Sequence, residues 1–186
     1  MNIGFAICGS FCTFSSVFPI MAQLRENHNV TPIFSEAAYN TDTRFGAAAS
    51  HILQAQNICG ISPLHTIAEA EPIGPKKLFD ILIIAPCTGN TLAKLAHGIT
   101  DGPITMAAKS HLRNGRPVLI AVSTNDALST AAENIGKLLC KKHYYFVPYR
   151  QDDPIGKPRS MVADFSTIPE AMDAALRAEQ IQPLIL

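Results

Sequence analysis

Short apolar runs alternate along this chain with longer segments in which apolar residues recur at the spacing of one helix face. Residues 81–85 (ILIIA) contain no polar residue, as in strands that are buried on both faces, and we expect Pro86 to end the hydrogen-bond ladder of that strand. The predicted strands are residues 3–8, 30–35, 61–67, 80–85, 117–122 and 144–147. The predicted helices are residues 13–26, 44–56, 91–97, 103–112, 129–141 and 168–179.

Strands that alternate with helices in this way predict an α/β fold: a three-layer, doubly wound, Rossmann-like and mostly parallel sheet with helices on both faces. Between these elements we expect a polar loop at 36–42, a turn at 72–75 and a proline- and charge-rich loop at 148–159. Phe45 shares an apolar stripe with its helical neighbours and is predicted to face the core. Residues 1–186 are predicted to form one domain.

Composition and charge narrow the classes of function. The chain is 47% hydrophobic, and its 15 basic residues balance its 15 acidic residues. No basic tract with interleaved aromatic residues is present, which argues against nucleic acid as a partner. No apolar run approaches the roughly 20 residues needed to span a bilayer, and the N-terminus does not resemble a secretion signal. We therefore expect a cytoplasmic protein that does not act at a membrane.

The cysteines do not indicate a disulfide framework or a metal site. They are odd in number and widely scattered, with no Cys-x-x-Cys pair and no metal-like spacing to histidine. We expect reduced thiols that mostly fill space in the core, and no bound metal. The five are Cys8, Cys12, Cys59, Cys87 and Cys140.

Three loops that follow predicted strands, residues 9–14, 86–91 and 123–126, are expected to line one crevice. In an open parallel sheet the loops at the carboxyl ends of the strands lie at the same edge, and ligands bind there. Glycine and hydroxyl residues near helix N-termini suit a phosphate that is bound without much basic charge. The spacing matches neither a dinucleotide fingerprint nor a triphosphate loop, so a mononucleotide is the better prediction. The alternative is that these hydroxyl groups only cap helices.

Three motifs carry a resemblance to a known family. They are ICGS at 7–10, APCTGNTLAKLAHGITD at 85–101 and STND at 123–126. Together they resemble the flavoproteins that bind FMN in a Rossmann-like fold, which include phosphopantothenoylcysteine decarboxylases and lantibiotic cysteine decarboxylases. The family signature P-A-S-A-N-T reads here as PCTGNT at 86–91. Residues 9–14, 71–77 and 152–164 are most similar to the branch of this family formed by the B subunits of dipicolinate synthases, from spore-forming bacteria.

The resemblance assigns roles to individual residues. It implies that Gly9, Ser10 and Thr13 meet the FMN phosphate and that Ser35 is a further phosphate or ribityl contact. It also implies that Asn125 orients a substrate carboxylate, although the family's preceding Pro-Ala-Met is absent here. Lys157 and Arg159, in a polar loop long enough to fold over a site, are candidates to bind substrate carboxylates, as are Lys76, Lys77 and Arg150. The implied cofactor-binding residues are Gly9, Ser10, Thr13, Ser35, Thr88, Gly89, Asn90, Thr91, Ser123 and Thr124.

The family's decarboxylases carry an acid/base histidine before the buried strand, and this chain has EPIGPKK at 71–77 instead. His65 lies well upstream and is not assigned that role, so the catalytic residue is left open. The dipicolinate synthase branch implies oxidation of a dihydrodipicolinate-type precursor to dipicolinate during sporulation, in the mother-cell cytoplasm, with FMN as the hydride acceptor.

Two alternatives remain open. In the first, the chain is a non-catalytic partner of the dipicolinate synthase A subunit, which uses a nicotinamide cofactor such as NADP. In the second, it is a stand-alone FMN-dependent decarboxylase. The family further implies a homo-oligomer, either a trimer or a dodecamer.

Overall fold

The computed structural model describes all 186 residues and contains seven strands and eight helices. The strands are β1 (Asn2–Ile7), β2 (Asn29–Phe34), β3 (Ile81–Cys87), β4 (Val118–Thr124), β5 (Tyr144–Phe146), β6 (Tyr149–Arg150) and β7 (Met161–Ala163). The helices are α1 (Phe14–Asn27), α2 (Glu36–Asn40), α3 (Ala48–Cys59), α4 (Ile67–Ala70), α5 (Gly89–His97), α6 (Pro103–Leu112), α7 (Thr130–Leu139) and α8 (Ile168–Leu176).

The strands form one sheet in which β2, β1, β3, β4 and β5 lie side by side and parallel. Strands β3 and β4 are apolar and buried almost throughout because helices cover both faces of the sheet. They lie at the centre of a core of 49 buried residues. The predicted α/β, mostly parallel, doubly wound fold is confirmed.

Helix boundaries fall where the capping chemistry places them. Helix α6 spans Pro103 to Leu112, as predicted. It begins at Pro103 because proline suits the first helical position, where no N–H is needed. Helix α5 ends at Gly98, whose φ of 72° is the left-handed conformation that glycine adopts most readily.

Two predictions between β2 and α3 are wrong. Residues 36–42 are not all loop, because the Ser35 hydroxyl accepts a hydrogen bond from the Ala38 N–H (3.1 Å) and starts helix α2. The next helix begins four residues later than predicted, at Ala48, whose N–H donates to the Asp42 carboxylate (2.8 Å). Phe45 therefore lies in the preceding turn and is 46% exposed, not in the core.

Two more predictions fail around β3. Residues 61–67 form no strand: Leu64 makes a single bridge to Ile33, and α4 starts at Ile67. Pro86 does not end β3, because the strand shifts register after Ile84 and runs to Cys87. The Pro86 carbonyl stays in the ladder, since it accepts a hydrogen bond from the Cys8 N–H (3.2 Å).

Residues 149–163 turn back along the sheet, and we call them the antiparallel return. The predicted loop 148–159 begins with the short strand β6, and the predicted last strand is followed by β7, which is antiparallel to the end of β4. Strand β7 pairs with Ser123 and Thr124, so the segment between β6 and β7 lies beside the carboxyl end of β4. The C-terminal residues fold onto the same chain: the Tyr149 N–H donates to the Leu184 carbonyl (3.0 Å). None of the helices is long and apolar enough to cross a bilayer.

Candidate functional site

The strand order 2-1-3-4-5 has its switch point between β1 and β3, because the chain moves outward from β1 in one direction and then crosses to the other. Sheets with this order bind ligands in the crevice at the carboxyl ends of those two strands. The loops that begin at Cys8 and Thr88 leave the sheet at this point. The topology therefore predicts a ligand site at the same place as the sequence motifs do.

The first cavity at this edge has a volume of about 650 Å³. All three predicted loops contribute to it, and residues 152–162 from the antiparallel return close one side. The predicted site residues that line it are Gly9, Ser10, Thr13, Thr88, Gly89, Asn90, Ser123, Thr124, Asn125 and Lys157.

A second cavity of about 390 Å³ lies next to the first, and Gly9, Thr88 and Asn90 line both. It receives the other two predicted cofactor-binding residues, Ser35 and Thr91. The N-terminal ends of α5 and α6 lie at this cavity, and the positive ends of the two helix dipoles favour an anion there. The side chains of the lining do not add to this, because Glu36 and Asp101 bring two carboxylates and Lys94 brings one ammonium.

Hydroxyl groups connect the strand ends into a network. The Ser10 and Ser123 hydroxyls lie 2.8 Å apart and join the loops after β1 and β4. The Thr88 hydroxyl lies 3.2 Å from that of Thr91, and the Thr91 hydroxyl lies 3.2 Å from the Cys8 sulfur. Thr88 also caps α5, so the capping alternative raised from the sequence holds for this residue alongside its position in both cavities.

Gly89 is packed where a side chain would not fit. A Cβ atom at this position would lie 2.7 Å from Asp126 Oδ1 and 2.8 Å from Thr124 Oγ1. The Thr124 hydroxyl donates a 2.5 Å hydrogen bond to that same Asp126 carboxylate. Helix α5 can therefore start against the β4 loop only because residue 89 has no side chain.

Lys157 lines the first cavity, but a carboxylate already neutralises it. Its ammonium lies 3.0 Å from Asp152 Oδ2, and this contact raises the pKa of Lys157. Desolvation acts to raise the pKa of Asp152, but hydrogen bonds from Ser160 and Lys157 outweigh it and lower that pKa. The ion pair links Asp152 to Lys157 across the first part of the 152–160 segment.

The remaining cationic candidates are not in the cavity. Arg159 donates to the Ser129 hydroxyl (3.2 Å) and lines neither cavity, and Arg150 lies 3.9 Å from Asp164. Lys76 lies near Asn2, at the amino end of β1 and so at the opposite edge of the sheet. Lys77 lines neither of the two cavities.

The structure adds residues that sequence reasoning missed. Asp126 and Asp152 bring carboxylates into the first cavity, and Lys94 lines the second cavity while paired with Asp101 (2.9 Å). The signal for Asp126 was its place in the STND motif, whereas Asp152 reaches the site only through the antiparallel return.

Histidine and cysteine chemistry is limited at this edge. No histidine lines either cavity; His65 stacks on Tyr39 with ring centroids 4.0 Å apart and lies 3.3 Å from Glu69. Burial raises the pKa of the Cys87 thiol well above its usual value, so Cys87 stays a neutral packing residue. Cys12 is exposed and lines the first cavity.

Similarity to known proteins extends over the whole chain. The B subunit of dipicolinate synthase from Bacillus subtilis (strain 168) is 42% identical over 186 residues, which cover 100% of this chain and 93% of the relative. The crystal structure of the dipicolinate synthase B subunit from Bacillus halodurans C matches with a TM-score of 0.91 and 42% identity, over 100% of this chain and 95% of that one.

A more distant structure shares the fold. The FMN-dependent cysteine decarboxylase SpaF matches with a TM-score of 0.71 and 21% identity, over 96% of this chain and 97% of that one. The family model described as Flavoprotein matches residues 1–168, which include every strand and both cavities. The crevice at the β1–β3 switch point thus lies within the matched region, and this chain belongs to the Flavoprotein family.

Proposed function

We propose that this chain is the B subunit of a dipicolinate synthase, which oxidises a dihydrodipicolinate-type precursor to dipicolinate (pyridine-2,6-dicarboxylate) with FMN bound at the β1–β3 edge. The observation that carries the proposal is the 42% identity to the B subunit of a dipicolinate synthase over the whole chain. The likeness to a solved B subunit of the same branch supports it independently at the level of structure.

The residues at the switch point fit a flavin mononucleotide. The two adjoining cavities have volumes in the range that holds small ligands. Gly9 lies in the wall that they share, so its backbone can approach a ligand closely. A Cβ at Gly9 would lie 3.3 Å from Ala37 Cβ, a tight contact that glycine avoids. The phosphate suits the second cavity, with Ser35, Thr91 and the start of α6, and the ring system suits the first.

The proposed reaction removes two electrons and two protons from the precursor and leaves an aromatic ring. Bound FMN supplies the two-electron acceptor. This chain holds the precursor in the first cavity, where Asn125 donates to a carboxylate and the 152–160 segment limits access of water. Asp126 is the cavity carboxylate that has no cation partner, and it is positioned to accept a proton.

A second function has an observation in its favour. Both carboxylates of the precursor need neutralising, yet the one lysine of the first cavity is already paired with Asp152. A first cavity without a free cation is also expected of a non-catalytic partner chain, in which case hydride passes to NADP on the A subunit. The decarboxylase alternative is the weakest, because no histidine lines either cavity.

The proposed assembly is a complex with the A subunit in the cytoplasm of the sporulating mother cell, in which this chain forms a trimer or a dodecamer. Sedimentation analysis would show a mass of about three or twelve times 20.1 kDa for this chain alone.

An absorbance spectrum of the freshly purified protein, followed by titration with FMN, tests the cofactor. A flavin band, or stoichiometric FMN binding, is expected. The pathway test mixes this chain with the precursor and the A subunit, then follows dipicolinate formation. If dipicolinate forms equally well without this chain, the chain takes no part in the reaction. If the chain is required but binds no FMN, the result favours the non-catalytic alternative.

A further inference from the structure

The ionisable groups that line the first cavity do not balance a dianionic ligand. Asp126 and Asp152 contribute two carboxylates, and Lys157 contributes one ammonium, which is 3.0 Å from Asp152. The lining therefore carries more negative than positive formal charge. A planar ring with two carboxylates would be repelled unless a further cation reached it from the rim.

One turn at the rim presents such a cation. Phe45 lines the first cavity; Arg44 lines neither cavity, but its guanidinium carbon lies 4.9 Å from the centre of the Phe45 ring, so this cation lies beside the rim. Arg44 forms no ion pair with any carboxylate of the chain, unlike Lys94, Arg150 and Lys157.

The turn that carries Arg44 is held in place at both ends. Thr43 and Gly46 exchange two backbone hydrogen bonds (3.0 and 3.1 Å), and the Thr43 hydroxyl accepts from the Phe45 N–H (3.1 Å). The Asp42 carboxylate ties the start of the turn to the first residue of α3. Arg44 and Phe45 thus extend from a braced turn, so little backbone freedom is lost when a ligand binds them.

We propose that Arg44 and Phe45 form the carboxylate clamp of this site: Arg44 binds one carboxylate of a planar cyclic dicarboxylate in bidentate fashion, and Phe45 contacts the face of its ring. This inference rests on the proposed function, from which it takes the dicarboxylate, and it adds the residues that distinguish that ligand. A guanidinium suits this role because its planar fork matches the two oxygens of a carboxylate, and stacking on Phe45 orients it.

The test measures binding by calorimetry to FMN-saturated protein, with pyridine-2,6-dicarboxylate and pyridine-2-carboxylate as probes. Arg44→Gln is expected to weaken binding of the dicarboxylate roughly ten- to hundredfold, the usual range for a lost charge-assisted pair. Arg44→Lys should restore part of the affinity, since it keeps the charge but not the fork. Arg44→Gln should also bring the affinities for the two probes closer together, because the group that reads the second carboxylate is gone.

Arg177→Gln is the matched control. Arg177 is an exposed arginine that follows α8, pairs with Glu179 (3.1 Å) and lines neither cavity, so its loss should change binding of either probe less than twofold. FMN affinity, measured in every variant, should stay at the wild-type value and shows that each variant is folded.

The outcomes separate this inference from the proposed function. Unchanged dicarboxylate binding in Arg44→Gln, with wild-type protein that binds both FMN and the dicarboxylate, would overturn the clamp and leave the proposed function standing. Wild-type protein that binds FMN but not the dicarboxylate, whether alone or in complex with the A subunit, would overturn both.

Discussion

At the scale of single residues, the site depends most on a position that has no side chain. Gly89 is the first residue of α5, and it meets the Thr124–Asp126 hydrogen bond at a distance that excludes a methyl group. The same residues line the first cavity, so packing and ligand geometry are set by one contact.

Replacing Gly89 by alanine should therefore lower the free energy of unfolding by about 1–2 kcal/mol, since overpacking outweighs the better helix propensity of alanine. FMN affinity should fall as well, because Asp126 and Thr124 have to move. Urea unfolding and FMN titration measure the two effects. Gly136→Ala is the control: Gly136 is exposed in α7 with nothing within 4 Å of a Cβ, and this substitution should stabilise by about 0.5–1 kcal/mol. Equal effects of the two substitutions would contradict the packing argument.

His111 gives a prediction about pH. It is almost completely buried in α6, with its ring Nε2 3.0 Å from the Pro117 carbonyl, and burial lowers its pKa to about 4. In the unfolded chain the ring takes up a proton near its ordinary pKa of 6.5, so the unfolded state binds more protons between these two values. Stability contributed by the neutral ring is thus complete above pH 6.5 and is lost as the pH falls towards 4.

Urea unfolding of wild type and His111→Gln at several pH values measures this contribution. Wild-type protein should lose roughly 3 kcal/mol more than the variant between pH 7.5 and pH 4, since each pKa unit corresponds to about 1.4 kcal/mol. Glutamine keeps a donor for the Pro117 carbonyl but does not titrate. Parallel pH profiles for the two proteins would show that His111 is not the source of acid sensitivity.

At the scale of elements, the sequence predicted best where capping residues and apolar runs coincide. Helix α6 matched at both ends because Pro103 marks its start and the Asn114-Gly115 turn follows its end. Strands β1 to β4 were predicted from their apolar runs. Strands β6 and β7 contain two and three residues, too few to show any periodicity, so the antiparallel return was missed. The exposed position of Phe45 was missed because a stripe of apolar residues does not show where a helix starts.

The end of α5 can be tested separately from its beginning. Gly98→Ala should lower the free energy of unfolding by about 1 kcal/mol, because an L side chain is strained at φ 72° although space is open around it. Gly98→Asn should lose less, since asparagine tolerates this conformation. Neither change should alter FMN affinity, because Gly98 lines neither cavity. A large loss of FMN affinity in Gly98→Ala would mean that α5 does not hold its N-terminus independently of its C-terminus.

At the scale of the whole molecule, the site joins segments from across the chain. Topology rules predicted that the loops after β1, β3 and β4 would meet, and they do. They could not predict Asp152, which arrives through the antiparallel return, or Arg44, whose place depends on the braced turn before α3. The charge of Arg159 and its place in a long polar loop predict a contact with substrate, but its guanidinium donates to the Ser129 hydroxyl instead.

If FMN binds at the proposed site, it should stabilise the molecule as a whole, because a ligand that binds only the folded chain favours that state. At a free concentration of about 100 times the dissociation constant, binding adds roughly 2.7 kcal/mol. For a chain of 186 residues this corresponds to a rise in Tm of roughly 5–10 °C. Differential scanning fluorimetry measures the shift, with riboflavin as the control. Riboflavin lacks the phosphate, so at the same free concentration as FMN its shift should be smaller; an equal shift at equal concentration would show that the second cavity does not receive the phosphate.

The wall that Gly9, Thr88 and Asn90 form between the two cavities has a thermodynamic consequence. Any adjustment of this wall that one ligand causes is felt by the other, so the two binding equilibria are linked. Linkage is reciprocal: if bound FMN raises the affinity for the precursor by some factor, the bound precursor raises the affinity for FMN by the same factor. Retention of cofactor during turnover would then depend on whether substrate is present.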